Sequence, residues 1–293
     1  LYCDPGFSGT APYFTSLVSA LEYVAGMPGV RSTTNSVSIH LSGRHRYVAD
    51  GTHAFASSNY NYLSIIADPS AVVWADISPL GDVQTFISIG ASNVTINGGR
   101  WVSYTDSGEN ERLLTLPGFR PNLLNATCVA DGPNGNNNAT VIFAGSKQAW
   151  IRDCVFMQGP TAGSGARPLD VYGAANAVVQ RCAIQMWRAA NSAINLGTAT
   201  RIQFLDCTML CSNVSESTGF LYNHPADTVY EGCSFVNLGT TNTIGRPSDP
   251  DVTVWFANCI HNIAGWKGDT GLTTTGTVTV VPGYPGVLIT PQD

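Results

Sequence analysis

Five cysteines, Cys154, Cys182, Cys207, Cys233 and Cys259, follow one another at intervals of 28, 25, 26 and 26 residues, and the residues around them match as well as the spacing. Such a period marks stacked repeats, each of which buries its apolar face only against its neighbours. In register the blocks read Trp150-Ile151-Arg152-Asp153-Cys154-Val155-Phe156, Val178-Val179-Gln180-Arg181-Cys182-Ala183-Ile184, Gln203-Phe204-Leu205-Asp206-Cys207-Thr208-Met209, Val229-Tyr230-Glu231-Gly232-Cys233-Ser234-Phe235 and Trp255-Phe256-Ala257-Asn258-Cys259-Ile260-His261. Three columns are apolar: three residues before the Cys, the Cys itself, and two after it, where His261 is the exception. The first and last of these would face opposite sides of one continuous strand, so a bend must intervene. The two residues before each Cys are mostly polar or Gly, as a tight corner between two short strands requires.

Strand, corner, strand and a longer polar loop, repeated about every 25 residues, predict a β-solenoid in which like side chains stack at roughly 4.8 Å. A leucine-rich repeat shares the period, but its Leu-rich consensus and helical 3.6 periodicity are missing. Upstream, Cys128 lies 26 residues before Cys154, Gly99 lies 29 before Cys128, and Leu63-Ser64-Ile65-Ile66-Ala67-Asp68 comes one turn earlier. With Val37-Ser38-Ile39-His40-Leu41 as the first strand, the expectation is about nine coils in a rod of roughly 40 Å. One domain over 1–293 then suffices, with a cap over 1–36, coils over 37–264 and a C-terminal cap or tail over 265–293. Apolar residues at Phe14, Leu17, Val18, Leu21 and Val24 predict an amphipathic helix from Phe14 to Ala25, stopped by Gly26 and Pro28, that covers the first coil.

Composition limits the function classes. The chain is 44% hydrophobic and 12% charged, which excludes disorder, and no apolar run is long enough to span a bilayer. A net charge of -6 without a Lys/Arg cluster argues against nucleic acid as a partner. Lysine occurs only at Lys147 and Lys267, and sequons stand at Asn93, Asn125, Asn138 and Asn213. Together they suit an extracellular or cell- or virion-surface protein. Leu1 begins no charged-then-apolar leader, so a mature terminus is expected.

Stacked inward cysteines are expected to fill the core as small apolar side chains. A ladder spreads sulfurs along an axis instead of converging them, and no CxxC or close Cys/His pair is present, so neither a metal nor a cofactor is expected. Cys207 and Cys211 lie too far apart on one strand to bridge. Cys3 and Cys211, outside the ladder, are the candidates for a disulfide with some other partner.

The Gly-rich start Asp4-Pro5-Gly6-Phe7-Ser8-Gly9-Thr10, the capping helix, the strand Val37-Ser38-Ile39-His40-Leu41-Ser42-Gly43 followed by Tyr47, and the ladder of Asn/Asp-Cys-x-Phe type resemble the right-handed parallel β-helix proteins of the pectin lyase-like superfamily, over roughly residues 5 to 262. The resemblance implies an all-β, single-stranded right-handed parallel β-helix with an N-terminal capping helix, and admits lyases, hydrolases, esterases, tailspikes and inert rods. The paired acids and Gly-His-Gly of polygalacturonases are absent, as are the Asp-His and Arg-x-Pro-x-x-Arg of calcium-dependent pectate lyases. Local wording is similar to pectin methylesterases at Lys147-Gln148-Ala149-Trp150-Ile151-Arg152-Asp153-Cys154, at Leu169-Asp170-Val171-Tyr172-Gly173-Ala174-Ala175-Asn176-Ala177-Val178-Val179 and at Gly245-Arg246-Pro247. That likeness implies Asp170 as nucleophile with Arg246 and Gln148 beside it. The Gln-Asp-Thr-Leu of that family is missing, Ser248 stands for its Trp, and an extra coil is expected between Asp170 and Arg246.

Surface aromatics beside Arg supply a second set of candidates. Tyr172 with Asp170, Trp187-Arg188, Arg246 with Asp249 and Asp251, and Arg44-His45-Arg46 are placed in loops or at coil edges, where a ring and a guanidinium together suit a sugar. His261 is expected as a satisfied inward residue of the last full coil, and His224 as a turn residue. The expected role is structural display, assembly with copies of itself or a surface assembly, or carbohydrate recognition without catalysis. The alternatives are a polysaccharide-active esterase or lyase, and a trimeric tailspike-like domain, although no long outward apolar face is visible.

Overall fold

Buried and open residues alternate along Val37–Leu41 and along Leu63–Ala67, the pattern of a strand with one wet face. The computed structural model describes residues 1–80, 84–107, 111–133, 139–163, 165–186, 194, 196–197, 199–211, 221–224, 228–237, 245–247, 254–261, 272–275 and 279–280. Its strands form three parallel sheets, and the chain passes through them in the order A, B, C, as Thr95–Asn97, Arg100–Tyr104 and Arg112–Thr115 do. Sheet A has 12 strands, sheet B has 10, and sheet C has 5, with a separate pair, Leu221–His224 and Gly245–Pro247, further along. The chain is thus an all-β parallel solenoid, with one α-helix among the described residues.

The ten successive strands of sheet B correct the coil count from about nine to ten. The additional coil comes from Leu272–Thr275 and Thr279–Val280, which pair in parallel with Val254–Ala257 and with Ile260–His261. It lies in the segment expected to be a tail, and it carries no cysteine to mark it. His261, buried between Phe235 and Val280, is accordingly not in the last coil.

The predicted corner exists and has a physical signature. Asp153, Arg181, Asp206 and Asn258, each immediately before a ladder cysteine, have φ near +50°, as do Asn125 one coil earlier and Gly232 in its own turn. This left-handed backbone turns the chain in one residue, and Asn, Asp and Gly tolerate it best. Beyond it the ladder stacks: Cys154, Cys182, Cys207, Cys233 and Cys259 are all buried and free. Each Sγ lies 3.2–3.4 Å from the carbonyl oxygen two residues back. It also approaches a sheet A carbonyl of the preceding coil at 3.4–3.8 Å. A thiol hydrogen therefore always has an acceptor in a column otherwise apolar.

Cys128 does not belong to that column. It stacks between Trp101 and Phe156, two residues further along its strand, and Ala126 holds the rung below Cys154. Both columns face the core, so a small apolar side chain fits either, and the 26-residue spacing matched by coincidence. Cys3 and Cys211, expected to seek a bridge, are fully buried free thiols. Burial, helped by the Asp4 charge, pushes the Cys3 thiol up to about 12, and burial likewise raises Cys211 and Cys128. In the ladder, hydrogen bonds with neighbouring thiols and then burial hold Cys182 and Cys233 far above the ordinary thiol value.

At the N-terminal end the helix spans Leu17–Ala25, three residues shorter than expected. Ser16 caps it by accepting from the Ser19 N–H at 3.1 Å, and Leu17, Ala20, Leu21 and Val24 face the core. Phe14 is taken instead into the strand Tyr13–Phe14, which pairs with Tyr2–Cys3 and extends sheet A over the first coil. Arg44-His45-Arg46 is not a loop but part of the first strand of sheet B, Arg44–Val48, with His45 buried and the two arginines outward. On the outer side of sheet B, Val102, Val129 and Met157 form a small apolar cluster that is itself buried, and in the same row Gln185 separates it from Leu210 and Val236. No helix among the described residues is long and apolar enough to cross a membrane.

Two outcomes follow from this packing. In the native state none of the eight thiols should react with a membrane-grade aromatic disulfide reagent, and all eight should react once the chain is unfolded, as read by absorbance. The second concerns His45, whose pKa burial lowers, with the Ser42 carbonyl 2.8 Å from Nε2 and the nearby Asp4 charge only partly opposing. The unfolded chain takes up this proton near the ordinary value of about 6.5. The contribution of a neutral His45 is therefore complete above that pH and is lost as pH falls towards the lower folded value. Tm should drop between neutral pH and about pH 5, and His45→Leu should flatten that drop.

Candidate functional site

The residues that the esterase likeness singles out are carried by different coils. Asp170 ends the sheet C strand Arg167–Asp170, is buried, and accepts the Tyr172 N–H at 2.8 Å through Oδ1. Arg246 lies on Gly245–Pro247, whose coil leads into Val254–Ala257, whereas the coil of Asp170 leads into Val178–Gln180. In sheet A those strands are three rungs apart, so the two backbones are separated by about 14 Å along the axis. The separation is two coils more than adjacent rungs, where one intervening coil was expected. Gln148 sits exposed on the corner between sheets C and A, with its Oε1 accepting from Arg120 Nε at 2.8 Å. These three residues are not gathered at one point.

The other sequence candidates separate similarly. Tyr172 is exposed, but its ring rests on the next coil, where a Cβ added to Gly197 would stand 2.0 Å from Cδ2, so a glycine there is what gives the ring its place. Trp187, Arg188, Asp249 and Asp251 lie outside the described residues, as do the sequons Asn138 and Asn213. Asn93 and Asn125 both occupy left-handed corners, and Asn125 Nδ2 donates to Asn97 Oδ1 at 2.8 Å.

What the coils do bring together is a cleft on the outer face of sheet A. It encloses about 460 Å³ and is lined, among the described residues, by Asn176, Ala177, Val178, Arg201, Gln203, Val229 and Trp255. Val178, Gln203, Val229 and Trp255 are direct neighbours from strand to strand. Their sequence neighbours Val179, Phe204, Tyr230 and Phe256 point the opposite way, and the last three rings stack at 4.8 and 5.0 Å inside the core. That rigid stack fixes the outer row. Asn176 and Arg201 come from a second left-handed corner, between sheets C and A, shared by Tyr62, Asn93, Arg120 and Gln148. The corner turns their side chains outward along one rim. The cleft floor is thus an indole, two valines and the Gln203 amide, with the Arg201 guanidinium and the Asn176 amide at the edge, a mixture suited to a ligand with apolar faces and hydroxyl edges.

Sequence reasoning missed this site although its signal was present. The four floor residues are the column four before each cysteine, and Trp150 and Trp255 stand in it.

No family model and no curated protein sequence matches this chain. Solved structures do. A pectin methylesterase from Aspergillus niger superposes with a TM-score of 0.54 at 13% identity, covering 97% of this chain and 86% of that one. A pectin methylesterase from Yersinia enterocolitica gives 0.57 at 11% identity, over 89% of this chain and 94% of that one. An alginate lyase from Paenibacillus sp. str. FPU-7 gives 0.53 at 12% identity, over 89% and 97%. At these identities the likeness is one of fold: the parallel β-helix of this chain is shared with those pectin methylesterases and that alginate lyase. Within it, Asp170 supports its turn: Asp170→Ala should cost about 1–3 kcal/mol, the worth of a buried charge-assisted hydrogen bond, measured by denaturant unfolding.

Proposed function

We propose that this chain is a secreted or surface-exposed β-helix that recognises a carbohydrate in the outer cleft of sheet A and does not cleave it. The observation that carries the reading is the convergence of Trp255, Arg201, Asn176 and Gln203, drawn from a span of four coils, on one cleft of about 460 Å³. A ring for the apolar face of a sugar and polar side chains for its hydroxyls are the chemistry of such recognition. The solved structures that share the fold include proteins named as pectin methylesterases and an alginate lyase, which lends support to a polysaccharide as the ligand class. The axial separation of Asp170 from Arg246 argues against the esterase pair working here. Carbohydrate is therefore the proposed partner, with no nucleic acid and no membrane insertion.

The esterase reading is the second one, favoured by the burial of Asp170 and by the pectin methylesterases among the fold neighbours. A tailspike-like trimer is a third, and a solution mass three times 31.0 kDa would mark it. The deciding experiment is a panel of immobilised polysaccharides, neutral and uronic, with retention measured alongside release of methanol and of unsaturated ends. Retention that Trp255→Ala lowers by about tenfold, corresponding to roughly 1.4 kcal/mol, without release of either product, is the expected result. Methanol release that Asp170→Asn abolishes would replace recognition by esterase activity.

A further inference from the structure

We infer that the ligand is a linear polysaccharide lying along the solenoid axis, with Trp150, outside the cleft, as a second platform; the inference rests on the carbohydrate reading of the cleft. Trp150 is the next residue of the same outer row: it pairs with Val178, Val178 with Gln203, Gln203 with Val229, and Val229 with Trp255. Between the two indoles stand only two valines and a glutamine. Trp150 and Gln203 in this row are exposed and the other three residues partly exposed, and the row is four strand spacings long, about 19 Å.

Trp150 is 47% exposed, the largest side chain left so open among the described residues. It is nevertheless held. The Arg152 guanidinium lies 5.8 Å from its ring centroid, Arg152 Nε is 3.2 Å from Asp153 Oδ2, and Asp153 receives a two-pronged pair from Arg181 of the next coil at 2.7 and 2.8 Å. An indole fixed by this chain of charges loses little rotamer freedom when a ligand stacks on it. A protein partner would favour a contiguous apolar patch, which Gln203 and the rim residues Arg201 and Asn176 interrupt. A sugar chain, with apolar ring faces and hydroxyl edges in alternation, matches the interruption. An extended hexose unit advances by about one strand spacing, so the two tryptophans address sugars about four units apart. A monosaccharide reaches one of them only.

The test is calorimetric titration of the full chain with oligogalacturonates and, separately, cello-oligosaccharides, from about two to about eight units, with tryptophan fluorescence as a second readout. In the series that binds, affinity should climb until about five units and then level off, where both platforms are spanned. Trp150→Ala should weaken the longest oligomer by about tenfold, within the range of one aromatic contact, and leave the trimer unchanged. Trp255→Ala should weaken every length, and Trp150→Phe should restore most of the loss, which separates loss of the ring from misfolding. Affinity independent of length, or a Trp150→Ala chain that binds the longest oligomer as the parent does, overturns the axial inference and leaves the cleft reading standing. Failure of every oligomer in both series to bind overturns the cleft reading itself.

Discussion

Parallel stacking in register is the constraint from which the rest of this structure follows. Each residue sits about 4.8 Å above its counterpart in the preceding coil, so a choice made at one position is imposed along a whole column. Inward columns are mostly apolar, and like side chains stack where they recur, as in the Phe204–Tyr230–Phe256 stack. Corners have to turn the chain from one sheet to the next within a residue or so, and among the described residues eleven that are not glycine accept positive φ. Each such residue costs on the order of 1 kcal/mol in isolation. The corner amides offset that strain by bonding into the next coil, as Asp153 N–H does to Gln180, Arg181 N–H to Leu205 and Asp206 N–H to Glu231, at 2.8–3.1 Å. The strain and the hydrogen bond come together, because only that backbone aims the amide along the axis.

The corner before each cysteine could be read from sequence because its residues are of few kinds. Asp153, Asp206, Asn258 and Gly232 are what a left-handed residue favours, Arg181 is the one exception, and the cysteine next to them supplies the register. The corner between sheets C and A carries Tyr62, Arg120, Gln148 and Arg201 as well as Asn93 and Asn176, and such a set has no common chemistry to recognise. There the stacking itself, rather than residue preference, selects the conformation. Cys128 shows the opposite failure: spacing and residue type both agreed with the ladder, yet two adjacent inward columns accept the same side chain. Only its pairing with Trp101 and Phe156 distinguishes them.

The cleft was legible in the same alignment, one column further out. Conventional site signals are local: a glycine-rich turn, a close pair of acids, a short motif. In a solenoid, functional neighbours are separated by a full repeat, as Val178, Gln203, Val229 and Trp255 are, so a motif along the chain becomes a row across it. Residues that look dispersed in sequence are adjacent on the sheet, while Asp170 and Tyr172, two apart in sequence, point into their own turn and onto the following coil.

The same geometry explains why the esterase-like wording arises without the esterase arrangement. In Ile151-Arg152-Asp153-Cys154 three residues already have a place in the coil: Ile151 is a core rung, Asp153 is the corner that receives Arg181, and Cys154 is the first rung of the ladder. In Asp170-Val171-Tyr172-Gly173 the aspartate accepts the Tyr172 amide, Val171 is buried, and Gly173 turns with φ of +69°. A sequence that satisfies those demands will resemble any other right-handed β-helix that meets them, whatever the chemistry on its surface. Function in this fold therefore has to be sought where stacking imposes nothing, on outward positions such as Trp150, Gln203 and Trp255. An exposed indole at the head of a flat row is not needed by the coil beneath it, and its cost in exposed apolar surface is consistent with a ligand that covers it.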